Sequence, residues 1–162
     1  RQAGMAEAFK ASGITINGED VSSADINLEG GLGLWDDLVI RKAEGELDYA
    51  MCANSTNALG CLAASESAGR TDYKVFGIDD EADQLAALTK ENGIYYATVA
   101  QNPFEIGVRV MEAAVHAVEG QDDGIVKVDG ILVTRDTVQE YVANRERSVE
   151  ELKDYLAIIT AS

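Results

Sequence analysis

The chain has 162 residues, 46% of them hydrophobic, and carries 13 Lys and Arg against 29 Asp and Glu, a formal charge of −16. That size and apolar content suit one folded domain rather than a disordered tail. With no basic stripe to meet phosphates, nucleic acid and anionic membrane surfaces are poor partners for this segment, and no run of 18 apolar residues exists to span a bilayer.

Helical and apolar patterns alternate along the chain: helix over 2–12, strand over 14–24, helix over 28–44, strand over 47–53, helix over 56–69, strand over 73–78, helix over 80–92 and strand over 94–100. Short, continuously apolar strands separated by helices predict a parallel sheet covered on both faces, the doubly wound α/β arrangement. Trp35 falls with Leu28, Leu32 and Leu38 on one helical face and reads as core. Glycines 30, 31 and 33 fit a flexible helix start better than a phosphate loop, because no G-x-G-x-x-G frame follows a strand. Cys52 and Cys61 stand on a strand and the helix expected to pack on it, too far apart to bridge, so two buried thiols are predicted.

The next helix is well marked, with Asn102 as N-cap, Pro103 at its first position, and Phe104, Val108, Met111, Val115 and Val118 along one side before Gly120 stops it. Residues 125–134 predict one more strand with Gly130 as a bend or bulge, followed by a helical turn over 136–143. Ser148 and Glu151 form a capping-box pattern for a last helix with Val149, Leu152, Leu156 and Ile159 as its apolar stripe.

Three polar residues end three successive apolar runs: Asn54, Asp79 and Gln101. In a parallel sheet such positions converge on the crevice at the carboxyl ends of the strands. Two amides and a carboxylate suit a hydroxyl-rich ligand, since each makes two hydrogen bonds at once. Asn54 and Asp79 also stand where residues would cap helices starting near Ser55 and Asp80. Three such residues at three strand ends favour a ligand site.

The segments RQAGMAEAFKASG, CANSTNALG, VFGIDD, ATVAQNPFEIG and GILVTRDTVQEY together resemble the type I periplasmic binding proteins that deliver sugars to ABC importers. The resemblance implies ligand contacts from Arg1, Asn54, Asp79 and Gln101, with Ile26 and Ile78 in positions where relatives often carry aromatics. Isoleucine supplies apolar area without a stacking face, so the expected ligand is a small sugar or polyol other than a common hexopyranose. The chain opens inside R-x-x-G, after the strand that begins this lobe in the family, and is therefore expected to be a carboxyl-terminal portion with an amino-terminal lobe elsewhere. On this reading residues 1–101 form the ligand-binding lobe in part, 102–122 a helix belonging with the other lobe, and 123–162 the final crossover strand and terminal helices.

The function implied is a solute-binding component of an ABC importer, partnered by a permease and located outside the cytoplasm, in the periplasm or lipid-anchored at the cell surface. The alternative is the effector-binding core of a lactose-repressor-type regulator, which Gly77-Ile78-Asp79-Asp80 also fits. An enzyme is not expected, because one His and two apolar-flanked Cys assemble no nucleophile set. No cofactor or metal is expected either: His116 lacks companions for zinc, and the acidic stretches 79–83 and 119–123 lack the spacing that wraps calcium. The string Asp80-Glu81-Ala82-Asp83 has no phosphate loop to make it a helicase motif.

Overall fold

The computed structural model describes residues 2–14, 18 and 27–160, with side chains for 3–14, 18, 27–150 and 153. In chain order the elements are α1 (Gln2–Ala11), α2 (Leu28–Arg41), β1 (Tyr49–Met51), α3 (Ser55–Ser67), β2 (Lys74–Ile78), α4 (Ala82–Leu88), β3 (Tyr95–Ala100), α5 (Pro103–Val118), β4 (Ile131–Thr134) and α6 (Val138–Thr160). The strand expected over 14–24 falls outside the described residues except for Ile14 and Gly18, which lie in no strand.

The sheet runs β1-β2-β3-β4, so each strand pairs with its neighbour in sequence. β1, β2 and β3 are parallel, whereas β4 is antiparallel to β3, with Ile131 opposite Ala100 and Thr134 opposite Ala97. The sheet is thus mixed rather than wholly parallel. The pairing shows the cause: β4 begins beside the end of β3, so the chain descends along it, and a parallel strand would first have to return to the far end. Only Ile131–Thr134 of the strand expected over 125–134 is paired. Gly130 precedes it at a point where a Cβ would lie 3.1 Å from the Ala100 carbonyl and closer still to Val99.

One core forms on one side of the sheet. Ala50, Val75 and Tyr95 point into it and meet Trp35, Leu38 and Val39 of α2, Ala58, Cys61 and Ala64 of α3, Leu85 and Leu88 of α4, and Val138 at the head of α6. Leu28, expected on the same face as Trp35, is 51% exposed. The α2 glycines lie within the helix, Gly30 and Gly31 in its first turn. A Cβ on Gly60 of α3 would stand 2.6 Å from the Gly31 carbonyl carbon, so these two helices touch backbone to backbone. Cys52 and Cys61 are both free and buried. On the opposite side of the sheet Tyr49, Phe76 and Tyr96 line up with ring centroids 5.9 and 6.3 Å apart, and Tyr49 is 53% exposed. Among the described residues that face is not covered as the sequence pattern predicts.

The two helices expected near the end are one. No Gly or Pro interrupts residues 138–160, and Ser148 donates its hydroxyl to the Asn144 carbonyl at 3.0 Å from within α6 instead of capping a new helix. Glu151, Leu152, Leu156 and Ile159 lie outside the residues whose side chains are described. Thr137 makes the turn into α6: its hydroxyl accepts the Thr134 N–H at 2.9 Å and its carbonyl accepts the Tyr141 N–H at 2.9 Å. No helix among the described residues is long and apolar enough to cross a membrane.

The carboxyl end of α2 is held by Arg70, whose guanidinium donates to the carbonyls of Val39, Lys42 and Ala43 at 3.1, 2.7 and 3.2 Å. It also pairs with both oxygens of Asp72 at 2.6 and 2.9 Å, and Asp72 accepts the Gly45 N–H at 2.7 Å. The Arg70 bond holds the Asp72 carboxyl well below the usual carboxylate range, against the opposing effect of burial. A depressed acid contributes stability above its unfolded pKa of about 3.9 and loses it as the pH falls through the folded value.

Two outcomes follow from this packing. Gly60→Ala should destabilise the fold by about 1–3 kcal/mol in denaturant unfolding, because the added methyl meets backbone that cannot swing aside. Asp72→Asn should lower the thermal midpoint by a margin that is constant above about pH 5 and shrinks as the pH falls below about 4. A margin that stayed constant down to pH 3 would show that the charge of Asp72 is not what matters.

Candidate functional site

The crevice at the carboxyl ends of the parallel strands is built around Asp79, the residue after β2. Its backbone sits at φ 85°, a left-handed conformation that Asp tolerates better than most residues. The turn is fixed to β3 from two directions: the Asp79 N–H donates to the Val99 carbonyl at 3.0 Å, and the Thr98 hydroxyl donates to the Asp79 carbonyl at 2.7 Å. Thr98 is 1% exposed, so this bond is sheltered from water.

The carboxylate reaches sideways to both neighbouring strand ends. Oδ2 accepts the N–H of Ser55, the first residue of α3, at 3.0 Å, and Oδ1 accepts the side-chain amide of Gln101 beyond β3. Asn54 stands beside Ser55 and is the N-cap of α3, its Oδ1 accepting the Asn57 N–H at 2.9 Å and the Thr56 hydroxyl at 3.0 Å. The structure thus brings Asn54, Asp79 and Gln101 to one place, and for Asn54 the capping and site readings both hold. The N-cap of α4 is Glu81, not Asp79. A negative group at the start of α3 is favoured by the helix dipole and by N–H groups with no partner inside the helix.

Ile78 is the half-buried last residue of β2, directly below Asp79. Arg1 and Ile26 lie outside the described residues. Behind the crevice, Gly77 leaves room for the Tyr95 hydroxyl, which accepts the Gln84 amide at 2.9 Å while the same amide donates to the Ile78 carbonyl at 3.1 Å. Burial pushes the Tyr95 phenol up to about 12, so it stays a neutral donor and acceptor. This buried bridge steadies the last peptide of β2.

Two links between elements at the site had no counterpart in the sequence reading. The Ser55 hydroxyl donates to Glu81 Oε1 at 2.9 Å, joining the starts of α3 and α4. Asp80 accepts from Tyr141 and Arg145 of α6. Both pairings join polar residues distant in sequence, which leave no periodic trace. In the chance Asp80–Asp83 string, Asp80 and Glu81 are taken up by these structural bonds. Among the described residues no group of three or more His, Cys, Asp or Glu is placed to hold a metal ion, and His116 Nδ1 sits 2.8 Å from both carboxylate oxygens of Asp123.

Comparison with known proteins places the fold. The ribose import binding protein of Salmonella typhimurium is 32% identical over 98 residues, covering 60% of this chain and 32% of that protein. A solute-binding protein of an ABC transporter from Agrobacterium vitis, solved with bound allitol, superposes with a TM-score of 0.75 at 20% identity, over 86% of this chain and 50% of that one. Another from Bacillus halodurans, solved with bound myo-inositol, gives 0.71 at 26% identity, over 88% and 48%. The chain therefore spans about a third of the length of the curated relatives it matches and about half that of the solved ones. The sequence profile of the periplasmic binding protein domain matches residues 1–122, three-quarters of the chain, and the chain belongs to that family.

Proposed function

We propose that this chain is a ligand-binding lobe of a solute-binding protein of an ABC importer, and that it takes a small sugar or polyol. The observation that carries the reading is the Asp79 carboxylate at the crevice, fixed between the start of α3 and the Gln101 amide. A carboxylate so held accepts hydrogen bonds from ligand hydroxyls without reorganising, and the exposed Gln101 amide offers a further donor and acceptor beside it. Arg1 and Ile26 are proposed to complete the pocket, with Ile78 at its floor. The family is one of binding proteins, and no catalytic step is assigned to this chain.

The relatives support a ligand of this class. The ligands of these proteins include ribose, an acyclic hexitol and an inositol, which share vicinal hydroxyls more than they share a ring type. Branched aliphatics in place of aromatics lose the preference for one flat sugar face, worth about 0.5–1.5 kcal/mol per contact, and so tolerate furanose and polyol shapes.

The second lobe, the permease and a place outside the cytoplasm belong to the same proposal. Supporting a second lobe is α5, which follows the crevice directly yet buries none of its residues and exposes Phe104, Met111, Val115 and Val118. Residues 1–101 would then form the ligand lobe, 102–122 a helix seated on its partner lobe, and 123–162 the returning strand and terminal helix. Closure of two lobes on the ligand is a population shift driven by contacts available only when both touch it.

Calorimetric titration of the gene-encoded protein tests the reading. D-ribose, allitol or myo-inositol should bind at micromolar concentration, and D-glucose and D-galactose should bind more weakly or not at all. Asp79→Asn should weaken that binding by about 1.5–3 kcal/mol, the scale of a hydrogen bond to a charged group. Its ligand-free thermal midpoint should move far less than the affinity, because Asn also tolerates left-handed backbone, keeps one oxygen for the Ser55 N–H and can donate its amide to the Gln101 side-chain oxygen. Unchanged affinity in the variant would remove Asp79 from the site, and a preference for glucose or galactose would refute the ligand class.

A further inference from the structure

Asp80 follows the ligand-facing Asp79 but is bonded to the far end of the chain. Its Oδ2 accepts the Tyr141 hydroxyl at 2.6 Å and an Arg145 N–H at 3.0 Å, and the same Arg145 nitrogen donates to the Asp80 backbone carbonyl at 2.7 Å. The Asp80 side chain is 14% exposed. One guanidinium nitrogen thus grips both the side chain and the backbone of a single residue, which fixes its peptide as well as its carboxylate. Burial and the neighbouring Asp80 charge hold the Tyr141 phenol above its ordinary range, so it remains a donor to Asp80 at any physiological pH.

The position of this grip matters because residue 79 is the left-handed turn. A non-glycine residue at φ 85° persists only where its surroundings over-determine it. β3 holds the turn through the Val99 carbonyl and the Thr98 hydroxyl, both acting on residue 79 itself. The α6 contacts hold the next residue, so the turn is clamped before and after its bend. We propose that Tyr141 and Arg145 are positioning residues of the ligand site, acting through Asp80 to keep the Asp79 carboxylate on the Ser55 N–H and the Gln101 amide. The inference rests on the assignment of that crevice as the ligand site. Arg145 itself is 47% exposed, and a pair with so open a cation contributes little to global stability, so its loss is felt locally.

Two measurements on the gene-encoded protein separate positioning from mere docking of α6. The variants are Arg145→Ala, Tyr141→Phe and the conservative Arg145→Lys, with Lys90→Ala as a surface control, since Lys90 pairs only loosely with Glu66 at 3.8 Å. In ligand-free protein, amide hydrogen exchange at Ser55 and Asp79 should speed up about 3- to 10-fold in Arg145→Ala, the factor that one net hydrogen bond represents in an equilibrium. The Val75 amide, bonded to the Ile94 carbonyl at the other end of β2, should keep its wild-type protection. Affinity for D-ribose should fall by a similar factor, and Arg145→Lys should restore part of both. Uniform acceleration that includes Val75 would show a general loss of stability and overturn the proposal. So would unchanged exchange at Ser55 and Asp79, or raised exchange with undiminished D-ribose affinity. If the wild-type protein binds no D-ribose, the assignment of the ligand is at fault, and the exchange data alone decide whether α6 holds the turn.

Discussion

The carboxylate of Asp79 accepts the Ser55 N–H on one side and the Gln101 amide on the other, and through it the ends of three adjacent strands become one rigid rim. Neutral groups in the same place would satisfy the backbone but would not bind hydroxyls as strongly, because charge-assisted bonds are about twice as strong as neutral ones. The surrounding residues serve this placement: Gly77 makes space, Tyr95 and Gln84 brace the strand from below, and Thr98 pins the turn.

Much of this was legible in sequence because polar residues interrupt apolar runs abruptly. Asn54, Asp79 and Gln101 stand out as the first hydrophilic positions after β1, β2 and β3, and a parallel sheet sends all three to the same end. Asn102 and Pro103 marked the start of α5 by their capping chemistry, and Asn102 accepts the Glu105 N–H. The direction of β4 was not legible, since an apolar run of four residues reads the same either way. The role of Gly31 was equally hidden, because a close helix crossing is visible only when Gly60 of the facing helix is known. Ser148 misled for a simpler reason: a hydroxyl three residues before an acid satisfies a capping pattern but also fits inside a helix with no breaker.

The apolar surface of the chain is unevenly spent. Helices α2, α3, α4 and the start of α6 bury one side of the sheet, while Tyr49, Phe76 and Tyr96 form a row on the other. Lys74 and Arg135 place their cations 4.8 and 4.7 Å from the Tyr96 ring centroid, which shields part of that row. In α5 the paired charges Arg109, Glu105 and Glu112 occupy one flank, and the exposed apolar residues occupy another.

The sheet assembles from neighbours: β1, β2, β3 and β4 lie side by side in the order of their synthesis, so each pairing closes a short loop. The Asp80 bonds to Tyr141 and Arg145 are different, for they close loops of 61 and 65 residues. The entropic cost of closure rises with loop length, and long-range contacts form late for that reason. The grip of α6 on the turn after β2 therefore costs more closure entropy than any strand pairing in the sheet. A chain cut before residue 141 would keep all four strands and yet lose both partners that α6 gives to Asp80.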